Sequence, residues 1–178
     1  AGIDLLAGPG HDVLKIGDYT DGRGTAEIIS VTEPFGKAIR VAVPAKLKMP
    51  SAVQLKAPLA HSVSKGDVVV LIFQIRSGAD GSAESLSLVE CNEPSWAGLI
   101  VTTARAEGEW KRYFLVGTAK QDFPEGKTTL SFQFGAKQQT ADIGGITLIN
   151  FGTSVVYNTS TKKLTPAADA QADNVNFT

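Results

Sequence analysis

The sequence predicts an all-β protein, an antiparallel β-sandwich of the jelly-roll or immunoglobulin-like kind. Three observations lead there. Short segments alternate apolar and polar residues with period two, as in TTLSFQFG (128–135), where Leu130, Phe132 and Phe134 share one face and Ser131 and Gln133 the other. Turn-forming residues separate these segments at short, regular spacing, for about nine or ten strands. No segment sustains a 3.6-residue apolar period behind a capping box. The single cysteine, Cys91, excludes the antibody-type version with its spaced cysteine pair.

Taken in order, residues 1–24 are rich in Gly and Asp and read as turns around a short segment, 13–16, that wraps a sheet edge. AEIISV (26–31) and KAIRVAV (37–43) read as strands separated by Pro34 and Gly36, with Pro44 ending the second. AVQLKAPLA (52–60) continues extended, and Pro58 favours an edge or strand end. DVVVLIFQIRSG (67–78) is the most apolar strand, expected at the centre of one sheet. SLSLVEC (85–91) returns, NEPSWAG (92–98) is a loop, and LIVTTARA (99–106) is the next strand. From Trp110 a strand leads to the FPEG turn (123–126), then TTLSFQFG, then a separate strand ITLINFG (146–152) after a Gly144-Gly145 break. Residues 1–165 form a single domain on this pattern, and 166–178 a polar tail or linker.

Composition narrows the function. Net charge is −1, from 17 Lys and Arg against 18 Asp and Glu, without a basic run to track phosphates, so nucleic acid is not an expected partner. The longest apolar run, Val68 to Phe73, is far short of the roughly 20 residues needed to span a bilayer as a helix. Neither a membrane partner nor a disulfide framework is expected, and one cysteine leaves the redox compartment open. No signal-like segment opens the chain at Ala1, so the expectation is a trimmed chain or a domain excised from a larger protein.

Three features in order, the W-x-R-Y start at Trp110, Arg112 and Tyr113, the LSFQFG strand, and the IGGITLINFG closure (143–152), resemble the family 4/9-type carbohydrate-binding modules. FGKAIRV (35–41) and VQLKAPLAHSVSKGDVVVLIFQIRS (53–77) extend the likeness to roughly residues 25–152. Such modules are jelly-roll, galactose-binding-like domains appended to bacterial glycoside hydrolases, notably family 10 xylanases. The resemblance implies a secreted, monomeric, non-catalytic module that binds xylan or β-glucan for an appended catalytic domain.

Sugars present hydroxyls to amide and charged groups and flat C–H faces to aromatic rings. Trp96, in a loop, either stacks on sugar or tucks under its own loop; Trp110, at a strand start, reads as packing. Gln133 lies on the polar face of its strand. Gln54 alternates against Val53 and Leu55, Gln74 and Arg76 share one face of 67–77, and Glu90 shares a face with Leu86 and Leu88. Gln138 and Gln139 sit in a loop at the rim. The candidate site is Trp96, Gln133, Gln54, Gln74, Arg76, Glu90 and Gln138, gathered on one sheet.

The chain carries no G-x-S-x-G, H-E-x-x-H or Cys/His metal spacing, so no catalytic residues are assigned. Paired carboxylates could cleave a glycosidic bond, with Glu90 and either Asp142 or Glu109 as candidates, but no spacing singles out a pair. The rivals are therefore a structural or adhesion sandwich without a sugar site, and a small β-sandwich glycosidase or lyase. No cofactor is expected. The acidic pair that holds structural calcium in the resembling family is replaced by Gly144 and Gly145; Asp142, Asp18 and Glu27 are the other oxygen donors considered.

Overall fold

The computed structural model describes residues 2–17, 23–79, 81–92 and 95–168. Its strands are β1 Ile3–Asp4, β2 Lys15–Ile16, β3 Thr25–Ser30, β4 Lys37–Val43, β5 Gln54–Pro58, β6 Val68–Ser77, β7 Ala83–Cys91, β8 Gly98–Ala106, β9 Lys111–Thr118, β10 Thr128–Gln133, β11 Gln139–Asn150, β12 Val155–Asn158 and β13 Lys163–Pro166. One helical turn, α1 (Gly10–Val13), precedes β2, and a 3-10 turn (Pro50–Ala52) leads into β5. One sheet runs β3-β4-β11-β6-β9 with β1 added beside β11; the other runs β2-β5-β10-β7-β8; β12 and β13 form a separate hairpin. All pairings between these strands are antiparallel. This is the β-sandwich that the alternation predicts.

The core lies between the two large sheets. Val69, Leu71, Phe73 and Ile75 of β6 face Leu130 and Phe132 of β10, and every one of them is buried. Phe73 meets Phe132 of the other sheet edge to face at 5.0 Å and stacks on Tyr113 of its own sheet at 5.3 Å, so aromatic rings bridge the core. Opposite Phe132 on β7 stands Ser87. A small residue there leaves room for the ring.

Two expectations need correction. β11 is one continuous strand from Gln139 to Asn150, where the sequence suggested a break; the pair Gly144-Gly145 sits at a bulge, with Gly145 at φ +60°. The strand at the middle of its sheet is β11, and β6 lies beside it, between β11 and β9. Residues 155–166 fold as the hairpin β12–β13, and β13 includes Pro166. Residues 169–178 of the expected tail lie outside the described residues, as does Asp18.

The glycine pair receives a ring. A Cβ on Gly144 would stand 2.5 Å from Phe35 Cε2, and one on Gly145 would stand 3.0 Å from Phe35 Cδ1. The Phe35 ring comes from the β3–β4 turn and meets Trp110 edge to face at 5.2 Å. Gly144→Ala should therefore displace Phe35 and lower stability by about 1–3 kcal/mol, read as a drop in thermal midpoint. An unchanged midpoint would show that the ring has room to move.

A groove on the outer face of the five-stranded sheet

The groove is built from cross-strand rows. On the outer face of the sheet, Gln133 pairs with Gln54 on one side and Leu86 on the other, and Leu86 pairs with Thr103. The next row is Lys56, Ser131, Leu88 and Val101, and the third brings Glu90 opposite Gly98. The resulting depression of about 600 Å³ is lined by Ser51, Gln54, Lys56, Leu86, Leu88, Glu90, Trp96, Gly98, Val101 and Gln133. That is the size range of a small-ligand site.

β7 makes the floor apolar. Its interior positions hold Ala83, Ser85, Ser87, Val89 and Cys91, so its leucines point outward, beside Glu90. Ser87 Oγ donates to the Ser85 carbonyl at 3.3 Å, which satisfies the hydroxyl inside the sandwich. Leu88 is 5% exposed although it lies outside the interior cluster, and Val101 next to it is 59% exposed. Leucines facing outward and serines facing inward reverse the usual arrangement of a half-buried strand.

Trp96 stands at the β8 end of the groove, 52% exposed. Its backbone has φ +50°, a conformation that costs a non-glycine residue about 1–2 kcal/mol. The loop that carries it closes where the Cys91 amide donates to the Ala97 carbonyl at 2.9 Å. Trp96 thus combines a strained backbone with an exposed ring at the edge of the groove.

The polar wall is held by hydrogen bonds. Gln54 Nε2 donates to the Ser51 carbonyl at 3.1 Å; Ser131 Oγ donates to Gln54 Oε1 at 2.7 Å, and Gln133 Nε2 donates to the same oxygen at 3.4 Å. Burial pushes the Glu90 carboxyl above the usual carboxylate range, and the positive charge of Lys56 offsets part of this. A carboxyl raised on folding stabilises the fold least when ionised: the penalty is absent below its unfolded value and develops as pH rises through the folded one. Glu90→Gln should therefore raise the thermal midpoint at pH 7 and leave it unchanged at pH 3. Equal shifts at both pH values would assign the effect to packing.

Trp96, Gln133, Gln54 and Glu90 thus meet in one groove. Gln74, Arg76 and Gln138 do not. Gln74 and Arg76 lie on β6, in the six-stranded sheet, because the interior parity of β6 belongs to Phe73 and Ile75 and turns both polar residues to that sheet's far surface. Arg76 is engaged there: its Nε donates to Asp142 at 2.8 Å, and its guanidinium carbon lies 4.5 Å from the Trp110 ring centroid. Gln138 lines two other depressions, one with Gly78 and Thr140 and one with Pro44, and is not among the residues of the groove. Leu86, Leu88, Val101 and Lys56 were not foreseen. The signal for the two leucines is the parity of SLSLVEC, in which Leu86, Leu88 and Glu90 alternate against small residues.

The carboxylate pairs considered for catalysis are separated by the sandwich. Glu90 lies on the five-stranded sheet, whereas Asp142 is on β11 of the other sheet and Glu109 lies just ahead of β9, one residue removed from it. Asp142 does not suit a calcium ion either. Arg40 donates to both its oxygens at 2.8 and 3.0 Å, and Arg76 shares the second. Among the described residues no three His, Cys, Asp or Glu are grouped to hold a metal ion. Nor is any described helix long and apolar enough to cross a membrane.

No protein-family model and no curated protein matches the chain. Solved structures match its fold. One described as "CBM4 structure and function" is 18% identical with a TM-score of 0.57, covering 74% of this chain and 99% of that one. The CBM22-1 xylan-binding domain from Paenibacillus barcinonensis Xyn10C is 10% identical with a TM-score of 0.59, over 84% of this chain and 96% of its own. The second N-terminal cellulose-binding domain from Cellulomonas fimi β-1,4-glucanase C is 17% identical with a TM-score of 0.54, over 84% and 95% of the two chains. The likeness is one of fold: this chain has the β-sandwich jelly roll of these carbohydrate-binding modules.

Proposed function

We propose that this domain, with a fold shared with carbohydrate-binding modules, is a non-catalytic polysaccharide binder whose groove holds a stretch of xylan or β-glucan. The observation that carries this is the pairing, in one groove, of an apolar floor and exposed Trp96 with a fixed amide wall. A pyranose chain with equatorial substituents has flat C–H faces, which suit Leu86, Leu88, Val101 and Trp96, and a hydroxyl rim, which suits Gln133 and Glu90. The xylan-binding and cellulose-binding neighbours support this class of ligand.

The domain serves as a targeting module outside the cell for an appended glycoside hydrolase. Holding the enzyme on its polymer raises the effective substrate concentration without breaking a bond. An open groove with one exposed aromatic anchor binds weakly, at about micromolar to millimolar dissociation constants. A purely structural sandwich has no use for a strained, exposed tryptophan over an outward leucine strip. A glycosidase needs two carboxyls across the scissile bond, and Glu90 is the one carboxylate among the described lining residues.

Affinity electrophoresis through soluble xylan, mixed-linkage β-glucan and hydroxyethyl cellulose tests this. Retardation in at least one gel is expected. Free migration in all three would overturn the assignment, and release of reducing sugar by the isolated domain would replace it with an enzyme.

A further inference from the structure

We propose that Gln54 is a positioning residue that sets the polarity of the groove, turning the Gln133 amide so that its Oε1 accepts a hydrogen bond from a ligand hydroxyl. This rests on the sugar-binding function of the groove. The relay begins at a group whose polarity cannot reverse. A backbone carbonyl only accepts, so the Gln54 atom 3.1 Å from the Ser51 oxygen is the amide nitrogen. Gln54 Oε1 is then the atom that faces Ser131 Oγ at 2.7 Å and Gln133 at 3.4 Å. Two donors fill the two lone pairs of that oxygen. Gln133 must therefore present its nitrogen to Gln54, which leaves its own Oε1 without a partner among the described residues.

That oxygen is not sealed inside the protein. Among the described residues, the one buried side-chain polar atom without a hydrogen bond is Trp110 Nε1. Gln133 lines the groove, and its Oε1 is the amide end that the relay leaves for a ligand. The relay is well supported: Gln54, Gln133 and Ser131 are 5%, 8% and 0% exposed, and Gln54 and Gln133 are direct partners on adjacent strands. Side chains this enclosed do not rotate freely between alternative hydrogen-bond patterns.

The consequence is selectivity. A free hydroxyl facing Gln133 can donate to Oε1, whereas an ether oxygen at the same place meets it lone pair against lone pair. Chains etherified along this edge should bind about 10-fold more weakly than free ones.

The test is titration calorimetry with xylohexaose or cellohexaose on the wild type, Gln54→Leu, Gln133→Ala and the double variant, each first checked for folding by circular dichroism. Each single change should weaken binding about 10-fold, and the double variant should bind no more weakly than Gln133→Ala alone. Losses that multiply in the double variant would overturn the proposal, since Gln54 would then touch the sugar itself. A second measurement needs no ligand: the side-chain amide resonances of Gln133 should shift in both Gln54→Leu and Ser131→Ala, and unshifted resonances would overturn the relay. A wild type that binds neither sugar while the resonances shift would instead overturn the sugar-binding function and leave the relay as a structural feature.

Discussion

Trp96→Gly should weaken polysaccharide binding by about 30-fold or more, the effect of removing an aromatic anchor worth about 2 kcal/mol. The same change should leave the fold as stable or make it more so. Trp96 is 52% exposed, so little buried area is lost. Its φ of +50° lies in the left-handed region, which glycine adopts without steric penalty. Affinity and stability are thus expected to move in opposite directions, which few packing residues would do. Gel retardation and thermal unfolding on one preparation check both. If stability fell by 2 kcal/mol or more together with affinity, Trp96 would be packed beneath its loop and would not be a ligand contact.

Asp142→Ala should lower stability by about 3 kcal/mol, with no loss of sugar affinity. Asp142 is 1% exposed and receives Arg40 and Arg76, whose side chains are 40% and 29% exposed. Removing the carboxylate leaves two guanidinium groups facing each other, but each keeps part of its hydration, which places the loss at the low end for a broken buried pair. For a chain of this size that is roughly a 6–12 °C drop in thermal midpoint. Affinity should be unchanged because the cluster lies on the opposite sheet from the groove.

The pH dependence follows the same pair. Burial alone would raise the Asp142 carboxyl, but hydrogen bonds and positive charge from Arg40 and Arg76 outweigh it and hold the group below the usual carboxylate range. A depressed carboxyl stabilises the fold fully above its unfolded value, about 3.9, and that stability is lost as pH falls through the folded value. The destabilisation of Asp142→Ala should accordingly be largest at pH 7 and shrink on acidification below about pH 4. A penalty that stayed constant from pH 7 to pH 3 would point to lost packing as its cause.

Within the candidate site, local pattern succeeded where one strand decides its own faces. The alternation in TTLSFQFG put Gln133 opposite Phe132 and Phe134, and the structure agrees, with both rings fully buried. The glycines of β11 show the limit. Gly144 looked like a break between strands because its partner, the Phe35 ring, lies more than a hundred residues earlier. Arg76 looked like a ligand contact because its polar face was legible while its partners Asp142 and Trp110 were not.

The sequence by itself determined that the chain is a β-sandwich, where most of its strands lie and which side chains share a strand face. These follow from period-two alternation and turn chemistry, which act over a few residues. Only the tertiary structure decided which strands share a sheet. That choice depends on pairing between distant segments, such as the 77-residue separation between Gln54 and Ser131, and on which parity the core accepts. It placed Gln54, Gln133, Glu90 and Trp96 around one groove, turned the β7 leucines out to floor it, and sent Gln74 and Arg76 to the opposite surface.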